Sequence, residues 1–305
     1  MTECERIIRD KVLPVEFFKE EYIDGFWVDE KRKKIWAVAL DLLLEFDRVC
    51  KKHNLKYYIM FGSLLGIVRH NGGFIPWDDD MDVCMPREDY EKMIKLETEF
   101  NNPYFLQTPY NDDGYCCTWI KLRNSNTSCI SYAFRYEKFN LGIGLDIFPL
   151  DNCEWDMYFN NRESLKMRAL KCSGFMRLSN PNPSQEDKER IALCKGQTSV
   201  ELYEDVQKIA AQFMNQNTKY KAVAILTIYD AEKLIFNAGD FDEIIYHDLY
   251  GYSFPIPKNY DVILKTLYGN YMEFPPIEKR GTVHGRTLFE PDIPYKDFLK
   301  KILPY

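Results

Sequence analysis

Two carboxylates separated by a single residue, Asp80 and Asp82 in the run WDDDMDV, are the clearest sign of chemistry in this sequence. On a β-strand, side chains two residues apart point to the same face. Neighbouring carboxylates repel each other unless a cation lies between them, and a site made only of oxygen ligands suits Mg²⁺ or Mn²⁺. Because protein-bound Mg²⁺ usually keeps coordination positions for substrate phosphates, the pair predicts a nucleotide or diphosphate site.

Gly62 and Ser63 supply a second part of this predicted site, because they follow an apolar strand candidate over residues 57–61 and precede a short helix candidate over 64–68. A glycine at such a junction lets the backbone approach a ligand closely, and the first amides of a helix are suited to bind phosphate. The alternatives are a solvated acidic turn and a calcium loop. Val83 disfavours the calcium loop, since it stands where that loop requires glycine.

A third acidic residue, Asp146, lies inside the apolar run IGLDIFPLD, which is a strand candidate. A carboxylate there is costly to bury without a partner. The functional interpretation is a third metal ligand or a general base from a neighbouring strand, and the structural alternative is an ion pair with a core lysine or arginine. Near the end of the chain, Lys279, Arg280 and His284 form either a solvated basic loop or a clamp on phosphate.

Composition and charge narrow the class of protein. The chain has 305 residues, 46% of them hydrophobic and 29% charged, which is ample for a globular core. The net charge of −7 makes a nucleic-acid polymer an unfavourable partner. The four histidines lack the spacing of a zinc hydrolase. The aromatic fraction of 15% is large enough to line a site for sugars or a quaternary ammonium.

The nine cysteines are odd in number and contain no C-x-x-C spacing, which favours free thiols in a reducing compartment. Cys116 and Cys117 are adjacent; buried strand residues are the favoured interpretation, and zinc binding stays open. The first residues, MTECERIIRDK, are too charged for a signal peptide, and no stretch is apolar and long enough to span a bilayer. We therefore expect a cytoplasmic protein with at most a peripheral membrane contact.

Periodicity predicts an α+β chain that forms one compact domain. An irregular leader over 1–29 with a short helix or two precedes a core over 30–153, a mainly helical segment over 154–238 and a closing segment over 239–305 that packs back on the core. The predicted helices are 30–53, 88–100, one capped by Thr198 and 259–268, and the predicted strands are 57–61, one through Val83, 104–107, 115–122, 129–134 and 143–148. Asn54 and Gly269 are the expected stops of the first and last helices.

Three segments together resemble a known family: FGSLLGIVRHNGGFIPWDDDMDV, DIFPLD and FPIPKNYDVILKTLYGNYMEFPPIEKR. They are similar to the LicD family, which includes bacterial phosphocholine transferases and the related fukutin group, and the resemblance runs in the same order from Lys34 to His284. It implies a nucleotidyltransferase-like core, a mixed sheet flanked by helices, with a mainly helical insertion.

The resemblance also implies roles for individual residues. Asp80, Asp82 and Asp146 become the catalytic, metal-binding carboxylates, and the expected substrate-binding residues are Gly62, Ser63, Arg69, His70, Lys121, Arg280 and His284. Arg123 lies in the same family-like segment as Lys121. Zinc, which fukutin-like relatives can carry on cysteines, has no clear counterpart here.

The implied reaction is the Mg²⁺- or Mn²⁺-dependent transfer of a phospho-substituent from a CDP-linked donor to a sugar hydroxyl. The expected donor is CDP-choline, with phosphoethanolamine and polyol phosphates left open as the transferred group, and the acceptor is a glycan or glycolipid such as teichoic acid, lipopolysaccharide or a capsule precursor. For the choline group, Trp77 or Trp119 is the proposed aromatic contact. The alternatives are another metal-dependent nucleotidyltransferase, a D-x-D glycosyltransferase and a non-catalytic nucleotide-binding module.

Overall fold

A computed structural model describes residues 1–226, 231–281 and 287–303, so the predicted site residue His284 lies outside the described residues. The helices are α1 (Glu3–Arg9), α2 (Glu30–His53), α3 (Phe61–Arg69), α4 (Arg87–Met93), α5 (Trp155–Phe175), α6 (Gln185–Leu193), α7 (Ser199–Ala210), α8 (Tyr260–Tyr268) and α9 (Tyr295–Ile302). The strands are β1 (Glu21–Ile23), β2 (Phe26–Val28), β3 (Tyr58–Ile59), β4 (Asp82–Pro86), β5 (Tyr104–Gln107), β6 (Ile120–Asn124), β7 (Ser128–Ser131), β8 (Ile143–Cys153), β9 (Tyr220–Ala222), β10 (Ile235–Asn237), β11 (Ile244–Leu249), β12 (Tyr252–Pro257) and β13 (Thr287–Glu290).

The long helix α2 has the limits that its sequence predicts. The Asp29 side chain accepts a hydrogen bond from the Arg32 amide at 2.8 Å, and Asn54 ends the helix in the left-handed conformation with φ 52°. Its apolar face is buried, with Trp36 and Leu40 fully inaccessible, and it packs against β8 and β6. The helix therefore covers the face of the sheet beneath the predicted site.

Strand β8 is the centre of the main sheet. It runs parallel to β4 on one side, and on the other side it pairs antiparallel with β6 in its first half and with β9 in its last residues. β3 and β5 complete the sheet beside β4 and β6, and β10 completes it beside β9. This mixed sheet flanked by helices confirms the predicted α+β class. Because β8 continues to Cys153, it is longer than the predicted strand over 143–148.

Three further predicted elements have other limits in the structure. Helix α4 stops at Met93 rather than at residue 100, and the next turn is fixed where Glu99 pairs with Lys52 and His53 of α2. Strand β6 starts at Ile120 rather than at residue 115, because the Tyr115 hydroxyl bonds to the Trp119 carbonyl within a turn. Strand β7 ends at residue 131 rather than 134, where a 3₁₀ turn begins.

The N-terminal residues are more ordered than the predicted irregular leader. Besides α1, they form the β1–β2 hairpin, and Ile7, Leu13 and Val28 are buried in the core. A second hairpin, β11–β12, lies in the closing segment, where no strand was predicted. The first hairpin was missed because its strands have only three residues each, and the second because Pro255 and Pro257 are unfavourable in a strand.

The stretch from α5 to α7 is helical as predicted. Thr198 and Glu201 form the expected capping box at the start of α7, where the Glu201 amide donates to the Thr198 hydroxyl at 3.2 Å. Gln207 of α7 accepts a hydrogen bond from Arg87 in the core at 2.7 Å. Among the described residues, no helix combines the length and apolar character needed to cross a bilayer.

Candidate active site

The acidic loop that precedes β4 is held in place by α2. Its Asp78 carbonyl accepts two side-chain hydrogen bonds, from Arg32 Nη1 at 2.8 Å and from Trp36 Nε1 at 2.9 Å. The Asp78 amide in turn donates to the Ile75 carbonyl at 2.9 Å. Backbone contacts of this kind fix the position of the loop.

Asp78, Asp79 and Asp80 form a cluster in which one carboxylate oxygen from each lies within 4.8 Å of the others. This set shares Asp80 with the predicted metal ligands and adds the two preceding residues. Three carboxylates so close together repel each other, and a hard divalent cation relieves that repulsion. Their oxygen-only chemistry fits Mg²⁺ or Mn²⁺, so the cluster can hold a metal ion.

Gly62 is the closest point between α3 and this cluster. A Cβ atom at position 62 would lie 2.7 Å from Oδ2 of Asp78, which explains why the close approach needs glycine. Gly62 and Ser63 lie within the first turn of α3 rather than in a turn before it, and Phe61 opens the helix with φ 53°, an unusual value for a bulky residue. The predicted close approach at Gly62 is thus to a carboxylate of the protein itself.

Asp82 is the first residue of β4, and Asp80 precedes the strand. Asp80 and Asp82 therefore do not share one face of a strand, in contrast to the prediction from their spacing. Asp82 is brought to the site by its backbone, since its amide donates to the Ser63 hydroxyl at 2.9 Å. Burial raises the pKa of the Asp82 carboxyl well above its usual value, and the neighbouring charges of Asp80, Asp146 and Asp78 raise it further.

Asp146 lies beside Asp82 because β4 and β8 pair these two residues directly in register. On the other side, β6 pairs Lys121 with Asp146, and the two side chains form an ion pair. The expected ion pair of Asp146 with a lysine is thus present, and Asp146 also lies close enough to Asp82 for its charge to act on that carboxylate, while its role as metal ligand or base stays a prediction. The positive charge of Lys121 opposes the rise in the Asp82 pKa.

A cavity of about 610 Å³ opens from these carboxylates, and we call it the main cavity. Asp80, Asp146 and Lys121 line one end. The rest of the lining is more apolar and aromatic: Trp119, Phe134, Phe139, Leu170 and Met176, together with Arg123 and Arg177. Its volume is within the range of about 300–1,000 Å³ that small-molecule sites occupy.

A second group of predicted residues forms a basic and aromatic cluster around Trp77. The guanidinium carbons of Arg69 and Arg280 lie 5.8 and 5.1 Å from the Trp77 ring centre. His70 packs against the same ring, and its Nδ1 lies 2.5 Å from a carboxylate oxygen of Asp24. Burial lowers the pKa of His70, while Asp24 opposes that change. The cluster is tied to the N-terminal hairpin, since Arg280 donates to the Asp24 carbonyl at 2.9 Å.

Tyr268, at the end of α8, was not predicted as a site residue. Burial raises the pKa of its hydroxyl, and the charges of Asp82, Asp78 and Asp80 raise it further, so it lies in the field of the acidic residues. The positive charge of Arg69 opposes this rise in the Tyr268 pKa, so Arg69 lies between the acidic residues and the cluster around Trp77 in its electrostatic effect. No spacing in the sequence indicates Tyr268, because the acidic loop is almost two hundred residues away along the chain.

Comparison with known proteins agrees with this geometry. Residues 54–178, which carry the acidic loop, Asp146 and Lys121, match the family model described as LicD/FKTN/FKRP, nucleotidyltransferase domain. Residues 54–178 form a LicD-family nucleotidyltransferase domain. The expected family resemblance is thus confirmed.

Similarity to one individual protein extends beyond residues 54–178, and two others match over shorter stretches. The lipopolysaccharide cholinephosphotransferase LicD of Haemophilus influenzae is 24% identical over 258 residues, which is 81% of this chain and 93% of the relative. An uncharacterized protein of Rickettsia prowazekii is 46% identical over 59 residues, which is 19% of this chain and 22% of the relative. An uncharacterized protein of Rickettsia typhi is 46% identical over 68 residues, which is 22% of this chain and 20% of the relative.

Proposed function

We propose that this protein is a metal-dependent phosphotransferase that moves a phospho-alcohol, phosphocholine in the first instance, from a CDP-linked donor to a sugar hydroxyl of a cell-surface glycan or its precursor. The observation that carries the proposal is an acidic group within a LicD-family domain: Asp80 and Asp146 line the main cavity, and Asp82 lies in register with Asp146 and in the field of both charges. The name of the Haemophilus influenzae relative supports the choice of phosphocholine.

The acidic residues are the proposed metal site, with Asp80, Asp82 and Asp146 as ligands and Asp78 and Asp79 beside them. A bound Mg²⁺ would neutralise charge on the donor phosphates. The acceptor hydroxyl attacks the phosphorus that carries the alcohol, the bond from that phosphorus to the CMP oxygen breaks, and CMP leaves. Asp146 takes the proton of the hydroxyl, and its ion pair with Lys121 holds the carboxylate in position for this.

The cluster around Trp77 is the proposed contact for the negatively charged part of the donor. Arg69 and Arg280 already lie against the Trp77 ring, so a further cation such as choline is unfavourable there. An anionic phosphate benefits from both guanidinium groups. Ser63 and the first amides of α3 lie beside the acidic loop and are proposed to contact the same phosphates.

Trp119 is the better of the two proposed contacts for the choline group, because it lines the main cavity and because Lys121, whose Nζ lies 5.6 Å from its ring centre, is neutralised by Asp146. Its ring packs against Phe148 at 5.0 Å between centres, so an aromatic surface meets the cavity next to the carboxylates. A quaternary ammonium has no N–H to donate and is held by aromatic faces, each worth about 0.5–2 kcal/mol. Trp119→Leu is expected to weaken CDP-choline more than CDP-ethanolamine, and Trp77→Leu is expected to weaken both equally.

A screen of donors tests the proposal directly. The protein, Mg²⁺ and a membrane or glycan extract are incubated with CDP-choline, CDP-ethanolamine, CDP-glycerol and CDP-ribitol, and mass spectrometry follows the products. Formation of CMP together with a phosphodiester on the glycan supports the proposed reaction. Pyrophosphate with a nucleotidylated acceptor indicates a nucleotidyltransferase, and a nucleoside diphosphate with a glycoside indicates a glycosyltransferase. Nucleotide binding without turnover indicates a binding module.

The proposed place of the reaction is the cytoplasm, where precursors are modified before export. All nine cysteines lie in the described part of the chain and are free thiols, which agrees with a reducing compartment. Fractionation of cells tests this: recovery of the native protein mainly outside the cytoplasm, with disulfides formed, would contradict it.

A further inference from the structure

A second, smaller cavity of about 390 Å³ lies next to the main cavity, and it has no role in the reaction proposed above. We call it the side cleft. The end of β7 and the turn that follows it form one wall of the side cleft. The loop before α6 and the start of α6 form the opposite wall. The lining side chains that matter here are Ser131, Tyr132, Arg135, Asn180, Asn182 and Asp187.

The charged groups of the side cleft differ in how far the protein neutralises them. Asp187 pairs with Arg177, whose Nε lies 2.9 Å from its carboxylate. The Arg135 guanidinium stacks on the rings of Tyr132 and Tyr136 and donates to the Tyr132 carbonyl, so it keeps its positive charge. The cleft therefore offers little to an ammonium group, and the remaining N–H donors of Arg135 suit the hydroxyl groups of a sugar.

Amide and hydroxyl groups supply the remaining polar surface. The Asn182 side chain is exposed, and within the described residues it makes no hydrogen bond; the Asn180 oxygen accepts from the Asn182 backbone amide at 3.1 Å. Side-chain amides both donate and accept, which suits vicinal hydroxyl groups. Tyr132 is 50% exposed, with Arg135 on its ring, so part of the aromatic surface faces outward. Such a surface can pack against the C–H face of a sugar ring.

The side cleft and the main cavity share a wall. Ser131 lines both, and the turn that follows it alternates between them: Tyr132 faces the cleft, and Phe134 faces the main cavity. Across the boundary, Arg177 of the main cavity pairs with Asp187 of the cleft. A chain of sugar residues bound in the cleft would thus lie next to the cavity that holds the carboxylates.

We propose that the side cleft is the acceptor subsite, which binds one or two sugar residues adjoining the residue that is modified. This inference rests on the proposed transfer to a glycan, and it adds where the glycan lies. It predicts that acceptor recognition depends on Tyr132 and Asn182.

Saturation-transfer NMR with purified full-length protein tests the subsite without any turnover. The probes are maltose, lactose and N,N′-diacetylchitobiose, each titrated against the wild type, Tyr132→Ala and Asn182→Ala. We expect at least one disaccharide to bind the wild type and to bind each variant about fivefold more weakly, as the loss of one stacking or hydrogen-bond contact predicts. Tyr246→Ala is the matched control, since Tyr246 is 62% exposed and lines neither cavity.

Two results would overturn the subsite: no disaccharide binding by the wild type, or binding that the two cleft variants keep at full strength. Equal loss in Tyr246→Ala would also count against it. Thermal melts of all variants guard against misfolding, and Asn182→Asp adds a second variant at an exposed position that removes the amide donor without a cavity. The NMR titration contains no CDP-linked donor, so disaccharide binding is measured independently of the transferase reaction. If the proposed reaction is wrong, the donor screen shows it, and the binding result is unaffected.

Discussion

Two aspartates on strand β8, Asp146 and Asp151, have opposite environments although they are five residues apart. The Asp151 side chain is 1% exposed, and Arg87 grips it with two hydrogen bonds, from Nε at 2.6 Å and from Nη2 at 3.1 Å. The Asp146 side chain is 15% exposed, lines the main cavity and has a single lysine partner. Both belong to the same short run, DIFPLD.

The difference shows that the Asp151 end of β8 contributes to stability, whereas the Asp146 end lies at the proposed site of chemistry. Arg87 also donates to Gln207 and Glu91, so the Asp151 pair is a closed network in the core. Asp146 instead lies next to Asp82, a carboxylate whose pKa is raised partly by the Asp146 charge. A satisfied pair needs no ligand, whereas a group of repelling carboxylates gains from one.

Breaking the closed pair is expected to have the largest effect. Arg87→Ala leaves the Asp151 carboxylate buried without a partner, and we expect the free energy of unfolding to fall by about 3–5 kcal/mol. Chemical denaturation with urea measures this change. Lys121→Ala, which removes the partner of the more exposed Asp146, is the matched control and should cost much less. Similar losses for the two variants would remove the contrast between the two ends of β8.

We call the part of β8 around Asp146, with its neighbours Asp80 and Asp82, the open end. Neutralising a carboxylate there is expected to lower turnover rather than to unfold the protein. Asp80→Asn, Asp82→Asn and Asp146→Asn each remove a charge proposed to hold the metal, and we expect turnover to fall by about 10²–10³-fold or more. Removing one charge from a repelling group should leave the fold intact, as circular dichroism can verify. Near-normal turnover of Asp82→Asn at saturating Mg²⁺ would show that the metal site is assigned wrongly.

Variants of the neighbouring residues sharpen the assignment of ligands. Asp78 and Asp79 form the tight carboxylate cluster with Asp80, whereas Asp146 is aligned with Asp82 across the sheet. If Asp79→Asn lowers turnover as much as Asp82→Asn does, the cluster supplies ligands beyond those predicted. If it leaves turnover unchanged, the ligands are the predicted three.

A metal ion is expected to stabilise the open end directly. Mg²⁺ at 100 times its dissociation constant should add about 2.7 kcal/mol to the free energy of unfolding, because it binds the folded chain alone. Differential scanning fluorimetry with EDTA and then Mg²⁺ or Mn²⁺ measures the shift in melting temperature. The shift should disappear in Asp82→Asn and persist in Trp119→Leu. Equal shifts in both variants would mean that the ion binds elsewhere.

The sequence predicted the parts of this site that depend on local pattern. Helix α2, its stop at Asn54 and the strand around Asp146 follow from apolar periodicity and known terminators. The acidic run WDDDMDV indicated a metal site through the spacing of Asp80 and Asp82, although Asp80 does not lie on the strand, since β4 begins two residues later.

Long-range pairing could not be predicted in the same way. The register that aligns Asp82 with Asp146, and Asp146 with Lys121, is set by hydrogen bonds between strands far apart in sequence. Tyr268 reaches the acidic residues only through tertiary packing. Nothing in DIFPLD distinguishes Asp146 from Asp151, because the partner that closes the second pair, Arg87, lies on another element.

The smallest expected effect is a pH dependence confined to the open end in EDTA. The pKa of Asp82 is raised in the folded chain by burial and by Asp80, Asp146 and Asp78. The folded state therefore binds this proton more tightly than the unfolded state, and the resulting stabilisation is complete at low pH and lost as the pH rises through the raised pKa. Asp82→Asn has no such proton to lose. Its melting temperature should therefore exceed that of the wild type by a few degrees at pH 8, and this difference should shrink towards pH 4. Added Mg²⁺ should reverse the order at pH 8, because the ion stabilises the wild type alone. If the difference in melting temperature between Asp82→Asn and the wild type stays constant from pH 4 to pH 8, ionisation of Asp82 does not destabilise the folded chain.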